Sequence, residues 1–313
     1  MFNSRSDFLV VLVATYNRLP LLKQTLHSII TGTRCSNEVI VIDGGSTDGT
    51  IEYLKSPSGI TPVFQGRLLG TARSYNQVWR QIKSKYTCWL SDDTEVVAGS
   101  LDLAVQILDG HPEIGMVGLK MRDTKGPWAG LPYKAGISEY GIINCNHGVL
   151  PMKLLRAVGF FNESYHSYTI DPDLTASVLC AGKDVVMTKK VSLLHHREWS
   201  EHLSGEDAKA LVKRNMKGID NKRIYHEKFK FLEIAPGQRT RRKIRLRRLL
   251  QRCLLLNGLG LGLSREDWRN FSRGRFVPLM DPWKNRRHSY HLVQRIPRNL
   301  LMVPTNPYKH LVD

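Results

Sequence analysis

The chain has 313 residues, of which 42% are hydrophobic, and its 46 Lys and Arg against 28 Asp and Glu give a formal net charge of +18. This length and apolar content suffice for a substantial core, so the composition argues against an unfolded chain and for one large domain with an extension or a small second domain. The positive charge favours phosphate-rich partners, whether nucleotides, nucleic acid or an anionic membrane surface, and does not choose among them.

The cysteines and the N-terminal residues bear on the compartment. Five cysteines are scattered through apolar stretches without a paired Cys-x-x-Cys spacing, which fits a reducing cytosol. Residues 1–7 lead into a short apolar run without the pattern of a signal peptide, and we find no apolar stretch long enough to cross a bilayer. We therefore expect a cytoplasmic protein.

Residues 8–119 alternate between strand and helix patterns. Continuous apolar runs typical of strands buried on both faces are separated by segments with apolar residues at helical spacing. The predicted strands are 8–15, 39–43, 61–64, 86–90 and 114–119. The alternation indicates an α/β fold with a doubly wound, mostly parallel sheet flanked by helices.

The predicted strand 86–90 is followed by two neighbouring carboxylates, Asp92 and Asp93. An acid pair at the end of a buried strand is unfavourable unless a cation or hydrogen bonds offset the desolvation and the mutual repulsion. Oxygen ligands at this edge of an α/β sheet suit Mg²⁺ or Mn²⁺ carrying a diphosphate. Most isolated Asp-Asp pairs are solvated turns, so the expectation depends on the motifs around it.

The pattern is less regular after residue 119. Residues 120–148 are rich in Gly, Pro and aromatic residues, which indicates a loop or hairpin that shapes a pocket. Helices are predicted at 150–158, from Asp171 to about residue 182, and from Ser204 to about residue 229, with a strand at 191–194. Asp171 and Asp173 begin the second of these helices, where one reading is an N-cap with a first-turn acid.

The composition changes again beyond Pro236. Residues 239–254 place leucines at helical spacing while arginines fill much of the remainder, which predicts a basic amphipathic helix. It either docks on the catalytic domain or lies in the headgroup region of an anionic membrane. We therefore predict a catalytic domain over 1–232 and a basic C-terminal region over 233–313, with 239–256 as the membrane contact.

Four motifs, in order, resemble those of the family-2 inverting nucleotide-sugar glycosyltransferases, which have a GT-A fold. The resemblance covers residues 8–199. The motifs are Ala14-Thr15-Tyr16-Asn17-Arg18, the segment 41–50, Leu90-Ser91-Asp92-Asp93-Thr94 and Ile170-Asp171-Pro172-Asp173-Leu174. Two positions depart from the family pattern, because Ser91 replaces the first acid of the strict Asp-x-Asp motif and Ile170 replaces the acid before Asp171.

The resemblance implies a nucleotide-binding role for several residues. Asp43 would accept the imide N–H of uracil or thymine, and Arg73 would hold a phosphate, although an exposed helix arginine is an equal alternative there. The residues implied to border the nucleotide are Thr15, Tyr16, Arg18, Asp43, Arg73 and, near the ribose, Asp92.

The resemblance also implies a metal site and a base. Asp93 would bind the Mg²⁺ or Mn²⁺ that bridges the two phosphates of the donor. His195 or His196 lies where several family members have a metal-binding histidine, the alternative being a histidine pair bonded to the backbone. Asp171 would be the general base that takes the proton of the acceptor hydroxyl.

These roles together predict metal-dependent sugar transfer from a UDP- or dTDP-sugar to a hydroxyl of a glycan or lipid-linked acceptor, as in polysaccharide or glycolipid assembly. The enzyme would work in the cytoplasm, or peripherally on the cytoplasmic face of the membrane. A nucleotidyltransferase of similar fold is an alternative, but residues 15–18 lack the glycine of a triphosphate loop. A nucleic-acid-binding protein is the third possibility, and no recognised motif of that class accompanies the arginine run.

Overall fold

A computed structural model describes residues 8–56, 59–125, 129, 138, 141–165, 169–196, 221–232 and 289–312. The strands are β1 (Leu9–Thr15), β2 (Asn37–Asp43), β3 (Ile60–Phe64), β4 (Tyr86–Ser91), β5 (Thr94–Val96), β6 (Ile114–Gly118), β7 (Met121–Asp123), β8 (Gly148–Pro151), β9 (Asp184–Thr188), β10 (Leu193–His195) and β11 (Tyr290–Gln294). The helices are α1 (Leu19–Gly32), α2 (Thr50–Lys55), α3 (Thr71–Trp79), α4 (Ser100–Gly110), α5 (Met152–Ala157) and α6 (Ile170–Cys180). Residues 221–228 and Arg298–Leu301 are also helical, and Lys230–Leu232 and Lys309–Leu311 form single 3₁₀ turns.

Eight strands form the main sheet, in the order β11-β9-β6-β8-β4-β1-β2-β3. Strands β3, β2, β1 and β4 are parallel, as are β6 and β9, whereas β8 and β11 run antiparallel to their neighbours. The apolar run of β1 explains its central place: Val10 and Leu12 belong to one core cluster and Leu9, Val11 and Val13 to the other, on opposite faces of the sheet. The predicted α/β class is therefore confirmed.

Three short strands form a second sheet, in the order β5-β10-β7. Its register pairs His195 of β10 with Thr94 of β5 on one side and with Asp123 of β7 on the other. Because Asp93 directly precedes Thr94, this small sheet brings three distant parts of the chain to the end of β4.

The structure differs from the sequence prediction in residues 148–188. Leu150 and Pro151, predicted to start a helix, belong to β8, and α5 begins at Met152. Strand β9 was not predicted, although Val185, Val186 and Met187 are fully buried in it. The predicted loop or hairpin at 120–148 contains β7 and lies partly outside the described residues, as does most of the charged helix predicted from Ser204.

Residues 289–312, which we assigned to the C-terminal region, complete the main sheet and its core. Strand β11 pairs with β9, and the Gln294 amide bonds the N–H of Ile143 and the carbonyl of Gly141. Arg295 Nε lies 2.6 Å from the buried Asp184 carboxylate. The basic segment 239–256 lies outside the described residues, so its membrane contact and the domain boundary at 232 stay predictions.

A buried ion pair fastens the helical segment 221–228 to α6. Lys228 Nζ lies 2.6 Å from Asp173 Oδ1, and the hydroxyl of Tyr165 donates to the other oxygen of the same carboxylate. Asp173 is 1% exposed, so removing its cation leaves a buried charge uncompensated. Within the described part of the chain, we find no helix that is both long and apolar enough to span a membrane.

We expect Lys228→Met to lower the free energy of unfolding by about 3 kcal/mol, because a broken buried pair costs more than the pair itself contributes. Chemical denaturation measures the loss, with Lys230→Met as a control in which an exposed lysine two residues away is removed. Equal stability of the two variants would show that the Asp173 pair is not needed for folding.

Candidate active site

The carboxyl ends of β1, β2 and β4 place the predicted nucleotide-binding residues other than Arg73 at one edge of the sheet. The parallel register pairs Thr15 with Asp43, and Ala14 with Ser91, the residue before the acid pair. Polar groups that follow neighbouring parallel strands therefore meet at the edge where ligands of α/β sheets bind. The sequence prediction that the acid pair lies at this edge rests on the same reasoning.

Asp92 is buried against the first motif. Its carboxylate accepts a hydrogen bond from Thr15 Oγ1 at 2.8 Å and from Arg18 Nη1 at 3.2 Å. Burial raises the pKa of Asp92, against the charge of Arg18 and the hydrogen bond from Thr15. Three of the predicted site residues are thus in direct contact.

Asp93 is held by groups on both of its oxygens. Ser91 Oγ donates to Oδ1 at 2.6 Å, while Arg18 Nη1 and His195 Nε2 lie 3.1 and 3.4 Å from Oδ2. Burial acts to raise the pKa of Asp93, but the hydrogen bonds from His195 and Ser91 and the positive charges nearby hold it well below its usual range. Ser91, the departure from the family pattern, therefore orients the acid that follows it.

Asp123 fixes the orientation of His195, a contact that the sequence analysis missed. Nδ1 of His195 lies 2.7 Å from Asp123 Oδ1, so this nitrogen carries the proton and Nε2 faces Asp93. In the neutral imidazole, a lone pair of Nε2 would then face a carboxylate oxygen at 3.4 Å. A proton or a metal ion between the two atoms resolves that repulsion, and a carboxylate behind the imidazole is the usual support of a metal-binding histidine.

His196 points elsewhere. Its Nε2 lies 2.8 Å from Glu95 Oε2 and 3.0 Å from Gln24 Nε2, and its Nδ1 lies 3.1 Å from Thr124 Oγ1. Successive side chains of a strand alternate between its faces, which explains why the two neighbouring histidines separate. The geometry favours His195 as the metal-binding histidine, and a metal role for His196 stays a prediction.

His147 is a further imidazole beside the acid pair that the sequence analysis did not identify. Its Nδ1 lies 3.2 Å from the carbonyl of Trp89 and its Nε2 lies 3.4 Å from Ser91 Oγ. Burial, partly opposed by the charge of Asp93, lowers the pKa of His147 to about 4. His147 is therefore neutral at physiological pH.

The carboxylate of Asp93 and the imidazole of His195 suit a divalent ion that also binds phosphate. The described residues hold no group of three or more His, Cys, Asp or Glu side chains arranged as a complete metal site. Asp93 and His195 would therefore be the protein ligands, with the remaining positions left to substrate phosphates and water.

Asp43 and Tyr16 lie on the nucleotide side of the site. The buried Asp43 carboxylate accepts the N–H groups of Gly45 at 2.9 Å and Ser46 at 3.1 Å, which fixes the turn after β2. Gly45 has a φ of +91°, and a Cβ there would lie 2.7 Å from the carbonyl oxygen of Gly66, so the turn requires glycine. Tyr16 is exposed, as a base-stacking side chain must be before the ligand binds.

Arg73 is not brought to the acid pair. Its exposed side chain pairs with Glu163 at 3.7 Å, together with Arg80 at 2.7 Å. This arrangement agrees with the alternative of an exposed helix arginine. A phosphate contact of Arg73 stays a prediction.

Asp171 is the second residue of α6, and the helix directly follows Thr169, which has a φ of +70°. Burial raises the pKa of Asp171 to about 7, and hydrogen bonds from the Trp89 side chain and from its own backbone oppose the shift only in part. Burial also raises the pKa of the Tyr75 hydroxyl, and the negative charges of both Asp92 and Asp171 raise it further. Tyr75 therefore lies near both Asp92 and the predicted base.

The sheet and the acid pair at the end of β4 define the GT-A fold of nucleotide-sugar glycosyltransferases. Staphylococcus aureus TarS 1-349, solved with UDP-GlcNAc, is 18% identical and covers 84% of this chain and 78% of its own, with a TM-score of 0.55. The mannosyltransferase PcManGT from Pyrobaculum calidifontis, solved with GDP-Man and Mn²⁺, is 16% identical and covers 85% and 83%, with a TM-score of 0.50. These likenesses confirm the predicted fold.

Residues 10–153 match the model of glycosyl transferase family 2, so the predicted resemblance is confirmed over that range. An uncharacterized glycosyltransferase of Rickettsia typhi is 25% identical over 187 residues, which is 55% of this chain and 58% of that protein. The chain spans 24% and 58% of the length of two curated relatives that it matches. The matched range contains Asp92 and Asp93 but ends before Asp171 and His195.

We expect Asp123→Asn to weaken Mn²⁺ binding by about 10- to 100-fold, because the carboxylate behind a metal-binding histidine fixes its tautomer and raises its basicity. Isothermal titration with Mn²⁺ measures the change. Asp109→Asn, which removes an exposed acid paired with Lys85, is the matched control. Unchanged Mn²⁺ affinity in Asp123→Asn would contradict the metal-binding role of His195.

Proposed function

We propose that the protein is an inverting, divalent-metal-dependent glycosyltransferase. It moves a sugar from a UDP- or dTDP-sugar to a hydroxyl of a glycan or lipid-linked acceptor, in the assembly of a polysaccharide or glycolipid. The observation that carries the proposal is that Asp171 lies near the carboxyl end of β4. The Trp89 side chain of that strand donates a hydrogen bond to Asp171, and the charges of Asp171 and Asp92 both act on the Tyr75 hydroxyl, which donates to the Leu90 carbonyl at 2.6 Å. This arrangement supports one carboxylate pair for the donor and a separate carboxylate for the acceptor.

The proposed reaction is a single displacement. The acceptor oxygen attacks the anomeric carbon, the bond to the diphosphate oxygen breaks, and Asp171 takes the hydroxyl proton. A divalent ion held by Asp93 and His195 would neutralise the leaving diphosphate. The configuration inverts because one attack occurs from the side opposite the leaving group, and no covalent intermediate is needed.

The raised pKa of Asp171 suits this task. A general base is most effective when its pKa lies near the working pH, because it is then both ionised and basic enough to take a proton. Asp173, the other acid of the same motif, is held in an ion pair with Lys228 and bonded to Tyr165. Of the two acids, Asp171 is therefore the one that suits proton transfer.

The donor is proposed from Asp43, Tyr16 and the motif around them. Asp43 Oδ1 has one long contact of 3.3 Å to the Ser46 N–H, which supports acceptance of a further N–H from a pyrimidine base. The imide N–H of uracil or thymine would suit this oxygen, so we propose UDP or dTDP as the carrier. We also propose that 239–256 holds the enzyme at an anionic membrane on the cytoplasmic side, near a lipid-linked acceptor.

A thermal-shift screen of UDP, dTDP and GDP, with and without Mn²⁺, tests the donor and the metal together. A ligand that binds the native state raises the melting temperature, so UDP or dTDP should stabilise the protein, and more strongly with Mn²⁺. Stabilisation by GDP alone would contradict the pyrimidine donor. Release of pyrophosphate from a nucleoside triphosphate would favour a nucleotidyltransferase instead.

A further inference from the structure

One nitrogen of Arg18 lies between the two carboxylates of the acid pair. Nη1 is 3.2 Å from Asp92 Oδ1 and 3.1 Å from Asp93 Oδ2. The two acid side chains are 6% and 9% exposed, whereas the Arg18 side chain is 44% exposed. The guanidinium, on a side chain that reaches in from the surface, therefore bridges the two buried carboxylates and, together with His195 beside Asp93, offsets their repulsion.

The orientation of the two acids does not depend on Arg18 alone. Thr15 Oγ1 donates to Asp92 at 2.8 Å, and Ser91 Oγ donates to Asp93 at 2.6 Å. The hydroxyl of Thr25 also binds the backbone carbonyl of Asp92. These hydrogen bonds keep the carboxylates in place if the guanidinium leaves. The point between Asp92 Oδ1 and Asp93 Oδ2, which we call the cation position, is therefore defined by the carboxylates and does not depend on Arg18.

Hydrogen bonds hold the backbone around Arg18, so an exchange of partners would involve its side chain alone. The N–H groups of Asn17 and Leu19 donate to Ser46 Oγ and Asp48 Oδ2, each at 2.9 Å, and the Arg18 carbonyl accepts the first hydrogen bond of α1. These contacts tie Arg18 to the turn after β2, on the proposed nucleotide side. An outward swing of the guanidinium therefore keeps it near the donor.

We propose that the Arg18 guanidinium occupies the cation position of the acid pair before the donor binds. When a divalent ion enters, the guanidinium leaves the carboxylates and binds the diphosphate of the donor instead. The inference rests on the proposed function, since it presumes that Asp93 binds the ion. A guanidinium and a divalent ion repel each other and compete for the same carboxylates, while a guanidinium binds phosphate oxygens well. Arg18 thereby couples the affinity for metal to the affinity for donor, and the coupling is reciprocal.

The test compares Mn²⁺ affinity with and without UDP, by the electron paramagnetic resonance signal of free Mn²⁺, in the full chain. The proteins are the wild type, Arg18→Gln, Arg18→Lys and the control Arg80→Gln. Arg80 has a similarly exposed side chain and also pairs with a carboxylate, that of Glu163, so its variant loses the same charge away from the acid pair. Thermal denaturation checks that each variant is folded.

Without UDP, Arg18→Gln is expected to bind Mn²⁺ about tenfold more tightly than the wild type, and Arg80→Gln equally to it. UDP should then raise the Mn²⁺ affinity of the wild type by a larger factor than that of Arg18→Gln, with Arg18→Lys between them. If the wild type binds Mn²⁺ and UDP but Arg18→Gln binds Mn²⁺ no more tightly, the exchange is wrong and the proposed function stands. If none of the proteins binds Mn²⁺ or UDP, both are wrong.

Discussion

Asp171→Asn is expected to transfer sugar about 10²- to 10⁴-fold more slowly than the wild type, with unchanged affinity for the donor. The amide has nearly the same shape as the carboxyl group but cannot take the proton of the acceptor hydroxyl. The carboxylates that contact the first motif, Asp92 and Asp93, are untouched by the change, so the Kd for UDP with Mn²⁺ should stay the same. Steady-state kinetics and UDP titration measure the two quantities.

The pH dependence of the same step follows from the raised pKa of Asp171. Because the base must be ionised, kcat of the wild type should rise with pH and level off above about pH 7, the value to which burial raises this pKa. Asp109→Asn should keep this profile. A rising limb near pH 4, or one that persists in Asp171→Asn, would assign the base to another residue.

The stability of Asp171→Asn separates loss of the base from loss of the fold. Asp171 has a pKa raised from 3.8 to about 7 in the folded protein, so its ionisation opposes folding increasingly between those pH values and fully above pH 7. Removing the charge should therefore stabilise the protein, by up to about 4 kcal/mol above pH 7 and by less at pH 5. A destabilised variant would mean that the low activity reports unfolding.

The parts of the site that the sequence predicted are those that follow strands with strong local patterns. Strand β1 is a continuous apolar run, and Asp92 and Asp93 directly follow the equally apolar β4, so the place of the acid pair at the carboxyl edge of the sheet follows from the strand pattern. Asp123 escaped prediction because it reaches His195, 72 residues away in the chain, only through the pairing of two three-residue strands. No local periodicity encodes such a contact.

The remaining differences have related causes. Strand β8 is four residues long, antiparallel and ends in Pro151, which by itself reads as the start of a helix. The sequence could not tell which of His195 and His196 faces the acid pair, because alternation along a strand separates neighbouring side chains without assigning either one to a face. The pairing of β10 with β5 and β7 makes that assignment. The place of β11 in the main sheet depends on a partner strand about 100 residues earlier, and such tertiary pairing is not visible in a local pattern.

Asp93→Asn is expected to abolish measurable Mn²⁺ binding and to lower kcat/KM by about 10³-fold or more. A metal ion at a leaving diphosphate supplies several kcal/mol of transition-state stabilisation, and each 1.36 kcal/mol corresponds to a factor of ten in rate. Asp92→Asn should instead weaken donor binding, because Asp92 contacts Thr15 and Arg18 but not the predicted metal-binding histidine. Mn²⁺ titration with and without UDP, beside steady-state kinetics, distinguishes the two variants.

The two histidines provide the sharpest check on this metal site. His195 Nε2 lies 3.4 Å from Asp93, whereas the His196 ring faces Glu95, so His195→Gln should weaken Mn²⁺ binding strongly and His196→Gln should not. Full activity of Asp93→Asn in the presence of EDTA would remove the metal from the reaction. A loss of Mn²⁺ binding in His196→Gln but not in His195→Gln would place the ion on the Glu95 side of the small sheet, away from Asp123. The contact between Asp123 and His195 would then have no role in metal binding.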